Sequence, residues 1–356
     1  MVSISQVKEK WQETIDRFRM RLALDLGSKR SLIYLAERGI VVEEASALAR
    51  IKKKRWQKKT VVVAYGDRAA IMQEKEPRKV EVVWPMMGGE IQDLSGLTML
   101  VSWFFKKLGS VPTRYPAILK TRGVVGVSYE MSNVQRRAIR GVFEASGGGK
   151  LTFINQAAAA LLGVSSVKNN IEGLVVDVGA GKTEMSLVSG GGIVLSKKLN
   201  VGGDSMDLAI INFIKIKYGI LIGLVTARRA REELGKIEVG EKTVVRGRSL
   251  ESGLPVSIRV DQGEIGEALA LELTKIVKNI KTLSDQAPPE IMAQVTRRGI
   301  VLVGGASLQY GLREQIESEL KISCLKVAEP DRAVIRGLSK LLDDQELARQ
   351  LEVMGQ

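Results

Sequence analysis

The most informative absence in this sequence is histidine, which does not occur once in 356 residues. Triads built on His, His metal sites and imidazole acid–base chemistry are therefore excluded. Any catalysis has to use carboxylates, amides, hydroxyls, Lys, Arg or a bound metal. The single cysteine, Cys324, rules out an intramolecular disulfide, which fits a reducing cytoplasm.

Long apolar runs are also missing, since none approaches the roughly 18 residues of a membrane-spanning helix. The first twenty residues are charged throughout and do not resemble a cleavable signal peptide. We therefore expect a cytoplasmic protein. Its length allows two or more domains, and 45% hydrophobic residues suit a globular chain.

Basic charge is abundant, with 54 Lys and Arg against 40 Asp and Glu and a net charge of +14. Attraction to anionic lipid, nucleic acid or acidic proteins follows from this charge. The residues of segment 50–59 are mostly basic, and Trp56 lies among them. This segment is either a solvated surface loop or a contact for such a partner.

Residues 1–20 predict an appended amphipathic helix. Its apolar stripe consists of Val7, Trp11, Ile15 and Phe18, and most charged residues lie elsewhere. Such a helix either packs on protein or lies in the membrane interface, where a Trp/Phe stripe with basic flanks is expected.

One pattern occurs twice: an apolar run, then Asp-x-Gly, then a hydroxyl residue six positions after the Asp. The copies are Leu22–Ser31, with Asp25, Gly27 and Ser31, and Leu174–Thr183, with Asp177, Gly179 and Thr183. Each run predicts a buried strand that ends in an exposed turn, and the glycine allows close backbone approach to a ligand. Alternating strands and helices follow each copy, which predicts an α/β protein with two related halves.

The doubled pattern suggests a clamp for a polyphosphate and its metal. Asp25 and Asp177 would hold a hydrated Mg²⁺, which takes few direct protein ligands. Backbone N–H groups of Gly27, Ser28, Gly179, Ala180 and Gly181 would form an anion nest. The segment 304–307, Gly-Gly-Ala-Ser, is either a flat floor for a planar base or a plain strand-to-helix turn. No Walker-type loop occurs in the sequence.

Local signals mark several helix ends. Ser132 and Gln135 predict a capping box, and Thr226 predicts the N-cap of a helix that ends at Leu234. Further helices are predicted over about 205–218, 264–283 and 332–342. The charged tail 343–356 is helical at best.

The ordered motifs together resemble a known superfamily. They include Asp25-Leu26-Gly27 with Ser31–Tyr34, Trp84-Pro85-Met86 with Gly89 and Asp93, Val134–Ile139, Asp177–Glu184, Gly202-Gly203-Asp204 with Asp207, and Arg298–Gly305. In this order, from about Arg21 to Leu341, the chain resembles the actin/heat-shock-chaperone/sugar-kinase superfamily and, within it, the bacterial actin MreB family.

The resemblance implies an actin-like fold of two lobes, each an α/β core that bears a smaller subdomain. The implied divisions are 1–20 for the N-terminal helix, 21–49 and 83–160 for the lobe I core, 50–82 for its small subdomain, 161–201 and 263–328 for the lobe II core, 202–262 for its small subdomain, 329–342 for a helix that returns to lobe I, and 343–356 for the tail.

The resemblance also implies a function: binding of ATP or ADP with Mg²⁺, and slow ATP hydrolysis. Subunits would stack head to tail into filaments, possibly paired, at the inner face of the cell membrane. There they would act in cell shape and cell-wall synthesis, with cell-wall or membrane adaptor proteins as partners. Nucleic acid is not expected as a partner.

The family motifs assign further site residues here. Nucleotide contacts are expected from Gly27, Ser28, Lys29, Arg30, Gly179, Ala180, Gly181, Lys182, Gly203, Asp204, Arg228, Arg231, Glu232, Gly304, Gly305 and Ala306. Catalytic roles are expected for Gln156, Thr183, Asp25 and Asp177. The family reads Glu-Glu-Pro where this chain reads Asn155-Gln156-Ala157, and an amide orients water but cannot take its proton as a carboxylate can.

Two alternatives stay open at this point. One is a filament or scaffold protein that binds nucleotide with little or no hydrolysis. The other is an actin-like protein that segregates plasmids or organelles through a DNA-bound or acidic adaptor. A sugar kinase is disfavoured because no sugar-binding insertion is evident.

Overall fold

The computed structural model describes residues 20–52, 60–75, 79–109, 121–164, 171–234 and 242–353. These residues form two compact units. Unit 1 contains Met1–Ala159 and Val334–Gln356, and unit 2 contains Ala160–Ala333. The predicted helix at 1–20, apart from Met20, and positions 53–59 of the basic segment lie outside the described residues.

The first part of the chain builds most of unit 1. Its elements are β1 (Arg21–Leu26), β2 (Arg30–Leu35), β3 (Gly39–Ala45), β4 (Leu48–Ile51), β5 (Val62–Tyr65), α1 (Asp67–Lys75), β6 (Val80–Val83), β7 (Met86–Met87), β8 (Glu90–Ile91), α2 (Leu94–Gly109), β9 (Thr121–Val127), α3 (Asn133–Ala145), β10 (Gly148–Asn155) and α4 (Gln156–Val164).

The remaining elements build unit 2 and then return to unit 1. They are β11 (Gly173–Val178), β12 (Thr183–Ser189), β13 (Gly192–Leu199), α5 (Gly203–Tyr218), β14 (Ile220–Leu221), α6 (Leu224–Leu234), β15 (Lys242–Ser249), β16 (Pro255–Asp261), α7 (Gln262–Asp285), α8 (Pro289–Arg298), β17 (Ile300–Val303), α9 (Leu312–Leu320), β18 (Cys324–Leu325), α10 (Ala333–Leu341) and α11 (Gln345–Gln350). Short 3₁₀ turns cover Gly305–Leu308 and Pro330–Arg332.

The main sheets of the two units have the same topology. Their strand orders are β10-β9-β1-β2-β3 in unit 1 and β18-β17-β11-β12-β13 in unit 2. In each sheet the Asp-x-Gly strand pairs antiparallel with the next strand, which in turn pairs antiparallel with a third. On its other side the same strand pairs parallel with a later strand. The predicted duplication is therefore present in the backbone.

Apolar side chains explain why these strands occupy the sheet centres. In β1, Leu22 and Leu24 are buried in the unit 1 core with Phe104 of α2 and Phe143 of α3. In β11, Leu174 and Val176 belong to the unit 2 core, which α7 covers with Leu269 and further residues of its apolar stripe. Continuous apolar runs are typical of strands that are covered on both faces.

Each unit also carries a small three-stranded sheet. In unit 1 its order is β5-β4-β6, packed on α1 through a cluster of small side chains that includes Ala47, Ala49 and Ala69. In unit 2 the order is β14-β15-β16. Burial alternates along β15, as expected for a strand with one solvated face.

The structure corrects two predicted helix starts. Thr226 is not an N-cap, because α6 already begins at Leu224. The capping box at Ser132 is only half formed: its Oγ accepts from the Gln135 N–H at 3.3 Å, but the Gln135 Oε1 has no partner among the described residues. A complete capping box instead joins Asp261 and Glu264 at the start of α7.

Helices α1, α8 and α9 were not predicted, and α11 was predicted only as a weakly helical tail. Each is short, at 6 to 10 residues, so few apolar positions mark it in the sequence. The start of α8 does carry a readable signal, since proline is favoured in the first helical turn and Pro289 stands there. None of the described helices is long and apolar enough to cross a membrane.

Candidate functional site

The two Asp-x-Gly turns have the same backbone geometry. The Gly27 N–H donates to the Arg30 carbonyl at 3.1 Å, and the Gly179 N–H donates to the Lys182 carbonyl at 2.9 Å. Each Asp lies one residue before the end of its strand, and both are partly accessible. The turns are therefore equivalent in both geometry and position.

Side chains of the first turn contact neighbours within unit 1. The Lys29 Nζ lies 4.2 Å from the ring centroid of Trp84, a cation–π contact. Arg30 lies 3.7 Å from both the Glu43 and the Asp67 carboxylates. Both predicted phosphate contacts thus already have protein partners on exposed or half-buried surface.

Two serines fix the backbone of this first turn. Ser46 donates its Oγ–H to the Gly27 carbonyl at 2.6 Å, and its N–H donates to the Lys29 carbonyl at 2.9 Å. The Ser31 Oγ lies 2.8 Å from the Ser46 Oγ, and both side chains are buried. Ser31 is therefore turned away from solvent and contacts the serine that holds the turn.

The second turn contains a buried ion pair. Lys182 occupies the position equivalent to Arg30, and its Nζ is hydrogen-bonded to the Glu184 carboxylate. Both side chains are largely excluded from solvent, at 11% and 5% exposure. The Thr183 hydroxyl is buried and donates to the Val201 carbonyl at 2.7 Å.

The start of α5 holds the second turn in place. N–H groups of Gly203 and Asp204 donate to the carbonyls of Gly179 and Ala180 at 3.0 and 2.8 Å. A Cβ on Gly202 would lie 2.6 Å from the Ala180 carbonyl oxygen, so only glycine fits this approach. The structure thus brings predicted residues of the turn and of α5 together within unit 2.

Asp177 is a mostly enclosed carboxylate. Burial raises its pKa to about 6, the nearby Lys182 lowers it, and Glu184 raises it. Among the described residues no hydrogen-bond donor contacts its oxygens. Gly304 packs directly against it, because a Cβ there would lie 2.4 Å from the Asp177 Oδ1. A cation nearby would stabilise the ionised form of such a poorly solvated carboxylate.

Beside this turn, α5 and α6 contribute a cluster of charges. The carboxylate of Asp207 is fully buried and accepts from the Arg231 Nε at 2.7 Å and from the Arg228 Nε at 3.0 Å. Arg228 also donates to Asp204 at 3.1 Å. Asp207 was part of the family motif but was not predicted as a site residue. Its spacing of three from Asp204, matched by the spacing of Arg228 and Arg231, is the signal that could have identified it.

Arg231 lies close to two further predicted contacts. A Cβ on Gly203 would lie 3.2 Å from the Arg231 Nη2 and 3.8 Å from the Ala306 Cβ. Glu232 is exposed, with its Oε1 3.7 Å from Arg231. The residues Gly203, Arg231 and Ala306 therefore converge, whereas Glu232 lies at the solvent edge.

Gly304 begins a tight turn after β17. Its φ of +87° is a conformation that favours glycine, and its N–H donates to the Pro330 carbonyl at 2.9 Å. The Ser307 Oγ–H donates back to the Gly304 carbonyl at 2.7 Å. The segment is thus a rigid strand-to-3₁₀ turn, and its use as a floor for a base stays a prediction.

Asn155 and Gln156 lie where β10 meets α4. The Asn155 Oδ1 accepts from the Ala157 N–H at 2.8 Å, while its Nδ2 is buried without a partner in the described residues. The half-buried Gln156 lies over Gly126 of β9, with its Cγ 3.3 Å from where a Cβ would stand. Asn155 therefore supports the start of α4, and the catalytic role of Gln156 stays a prediction.

In the described part of the chain, no three His, Cys, Asp or Glu residues cluster as a metal site. A metal held through water would not need such a cluster, since Mg²⁺ keeps several waters and uses phosphate oxygens. The Asp177 carboxylate fits this kind of site, because it is mostly enclosed yet still partly accessible at the end of β11.

The chain is similar in sequence to proteins of one family. The family model described as MreB/Mbl protein matches residues 19–350. The cell shape-determining protein MreB of Escherichia coli (strain K12) is 34% identical over 330 residues, which cover 92% of this chain and 94% of that protein. The cell shape-determining protein Mbl of Bacillus subtilis (strain 168) is 30% identical over 333 residues, which cover 92% and 97%.

Two solved structures resemble this one over nearly their whole length. MreB5 of Spiroplasma citri bound to ADP has a TM-score of 0.84 at 24% identity, with 93% of this chain and 98% of that chain covered. The MamK double helical filament has a TM-score of 0.75 at 20% identity, with 92% and 99% covered. The predicted actin-like fold is confirmed.

Proposed function

Because the chain belongs to the MreB/Mbl family, we propose that it is an ATP-binding bacterial actin whose filaments act at the cell membrane in cell shape and wall synthesis. The family relatives named as cell shape-determining proteins support this role. The MamK structure described as a double helical filament supports polymerisation of this fold, here with subunits stacked head to tail.

The observation that carries nucleotide binding is the pair of equivalent Asp-x-Gly turns. Each turn is held by backbone and hydroxyl hydrogen bonds. The Gly27 and Gly179 N–H groups are used within the turns, so the N–H groups of Ser28, Ala180 and Gly181 would meet the phosphate oxygens instead. Structures of MreB5 of Spiroplasma citri bound to ADP and to AMPPNP support the choice of an adenine nucleotide.

The cluster at the start of α5 suits the sugar and base. Arg231 is held by the buried carboxylate of Asp207, so its guanidinium is fixed beside Gly203 and Ala306. Glu232, at the solvent edge, would accept from the ribose hydroxyls. Lys29 and Arg30 would add charge near the phosphates after exchanging their present surface contacts.

Mg²⁺ would be held through water by Asp25 and Asp177, and it would neutralise charge on the phosphates. At neutral pH the ionised Asp177 carboxylate destabilises the folded protein, because burial raises its pKa to about 6. A divalent cation beside it relieves that cost.

For hydrolysis, Gln156 would orient the attacking water. Thr183 donates its hydroxyl proton to the Val201 carbonyl, so its oxygen would only accept a hydrogen bond from that water. Neither group takes the proton as a carboxylate would, and we therefore expect slow turnover.

Phosphate release from purified protein with ATP and Mg²⁺ tests this activity. Wild type should release phosphate slowly, and Gln156→Ala should reduce the rate about tenfold or more. Gln156→Glu is the matched variant, since it keeps the side-chain length and adds a basic group. Unchanged release in Gln156→Ala would remove this residue from catalysis.

A second candidate function is a nucleotide-binding scaffold with little or no ATPase activity. Asn155 favours it, because its Oδ1 is used to support the start of α4. Nucleotide binding and filaments, without release above buffer in either wild type or Gln156→Glu, would favour this candidate over the enzyme.

Electron microscopy with ATP tests polymerisation, and persistent absence of polymers over a range of salt and protein concentrations would contradict it.

Membrane attachment through residues 1–20 predicts that anionic vesicles bind the full chain and not a variant that lacks this segment. Binding that is unaffected by the deletion would remove the segment as the anchor.

A further inference from the structure

A basic groove lies on unit 1, and its lining includes no residue of the Asp-x-Gly turn. It has a volume of about 310 Å³, with α3 on one side and Phe153 of β10 and Val353 on the other. Three arginines of α3 line it: Arg136, Arg137 and Arg140. We call this feature the α3 groove.

The three guanidinium groups are not neutralised by the chain. In the ranges that the structure describes, none of them forms an ion pair with a carboxylate. Like charges three and four positions apart on a helix repel one another, so this arrangement costs stability. Glu144 is the one carboxylate in the lining. An excess of positive charge in a concave surface attracts an anion.

Two of the arginines are held in place by neutral partners. The Arg136 Nη2 donates to the Asn133 Oδ1 at 2.6 Å. The Arg140 Cζ lies 5.3 Å from the ring centroid of Phe153, in a cation–π contact. These contacts limit side-chain motion without cancelling charge, which lowers the entropy lost when an anion is bound.

Gly141 leaves the middle of the groove open. It lies inside α3, where glycine is less favourable than alanine. A Cβ at this position would have no atom within 4 Å, so packing within the chain does not require glycine. Its absent side chain does give access to the surface between the arginines.

The opposite wall is built from the end of the chain. The Val353 N–H donates to the Phe153 carbonyl at 2.9 Å, and Glu352 forms a β-bridge with Ile154. This pairing covers the edge of β10 and places apolar Phe153 and Val353 opposite the guanidinium groups. The groove therefore combines a charged wall with an apolar one.

We infer that the α3 groove binds the phosphate groups of a compact, multiply charged anion. Guanidinium groups pair bidentately with phosphate oxygens, and three of them suit a pyrophosphate-sized group. The volume lies at the small end of ligand sites, which excludes a long ligand. A soluble phosphate compound and a phospholipid headgroup share this chemistry.

Titration calorimetry with inorganic pyrophosphate tests the groove on the full chain, which is first saturated with ADP and Mg²⁺ to block the nucleotide turns. Wild type should bind, and Arg137→Gln should weaken binding about tenfold, as expected for one charge-assisted pair. Gly141→Leu, which fills the groove, should abolish binding, while Gly141→Ala should retain part of it.

Arg68→Gln is the matched control, since Arg68 is an exposed arginine of α1 in the same unit. Sedimentation with vesicles of phosphatidylcholine and phosphatidylglycerol gives the second arm. Dependence on Arg137 and Gly141 in the pyrophosphate arm supports a soluble ligand, and such dependence in the vesicle arm alone supports a headgroup. Dependence in neither arm, equal weakening by Arg68→Gln, or binding only without ADP would overturn the proposal.

Discussion

The two Asp-x-Gly turns share a backbone but differ in what surrounds them. In unit 1 the turn carries Lys29 and Arg30 on accessible surface, where they contact Trp84 and acidic neighbours. In unit 2 the equivalent cation, Lys182, is buried against Glu184, and the residues between the Asp and the lysine are small. The two copies therefore share the backbone conformation of the turn, but they differ in the burial and the size of its side chains.

Close packing also distinguishes the copies. Gly202 packs against the backbone of the second turn, and Gly304 packs against the Asp177 carboxylate. In unit 1 the strand beside β1 continues into Val127 and Ser128, both buried, rather than into a glycine pair. We infer that neighbouring elements constrain the second turn more than the first. Within the turns the order is reversed, since a Cβ would lie 2.6 Å from the Arg30 carbonyl oxygen at Gly27 and 3.3 Å from the Lys182 carbonyl oxygen at Gly179.

Breaking the buried ion pair should produce the largest difference between the copies. Lys182→Met leaves the Glu184 carboxylate buried without a partner and should cost about 3 kcal/mol of unfolding free energy. Arg30→Met, at the equivalent exposed position, should cost less than about 1 kcal/mol. Urea unfolding followed by circular dichroism measures both.

The double variant Lys182→Met/Glu184→Gln is the control, because it removes both charges. It should recover much of the lost stability. Equal stability of Lys182→Met and Arg30→Met would show that burial does not distinguish the turns.

The next largest effect is expected at Gly304. Gly304→Ala places a Cβ against Asp177 at a φ of +87° and should cost about 2–3 kcal/mol. Gly266→Ala is the matched control in α7 of the same unit, where a Cβ meets open space. It should stabilise by about 0.5–1 kcal/mol. A tolerated Gly304→Ala would contradict the close packing on the second turn.

Asp177 links stability to pH. Its folded pKa of about 6 exceeds the ordinary value of 3.8, so the folded state binds the proton more tightly. The charge therefore destabilises the nucleotide-free protein above about pH 6, and this cost disappears as pH falls from 6 towards 4.

Asp177→Asn should consequently stabilise the nucleotide-free protein by about 1–2 kcal/mol at pH 7, because the amide carries no charge. Thermal melts of wild type and variant at pH 7 and pH 5 measure the gap, which should narrow at the lower pH. A variant that is less stable at pH 7 would contradict this.

The smallest expected effects concern the buried hydroxyls. Ser46→Ala removes the support of the first turn, and Thr183→Val removes the bond to Val201 in the second. Each should cost about 1 kcal/mol. Chemical unfolding measures both, and a clearly larger cost for Ser46→Ala would show that the first turn depends more on its hydroxyls than the second.

The sequence predicted the features that repeat. Two apolar runs with Asp-x-Gly and a hydroxyl gave both hairpins, and the ordered motifs gave the actin-like fold, because such signals are local and strong. It missed the short helices α1, α8 and α9, in which few apolar positions mark a helix, and it placed the start of α6 two residues late.

Ion pairs between side chains were harder to predict from the sequence. Lys182 was predicted to touch phosphate, yet its partner Glu184 lies two positions along the same strand and only the fold shows that both are buried. Likewise, Asp207 joins Arg228 and Arg231 across two helices, and a contact of this kind depends on how the helices pack.

Nucleotide binding is the property on which the assignment of the doubled turns depends. Titration of the full chain with AMPPNP, with and without Mg²⁺, should give one site whose affinity rises with the metal. Asp177→Asn should still bind nucleotide but lose most of that metal dependence. Absence of binding in wild type, or the same metal dependence in Asp177→Asn, would contradict the assignment of the doubled turns.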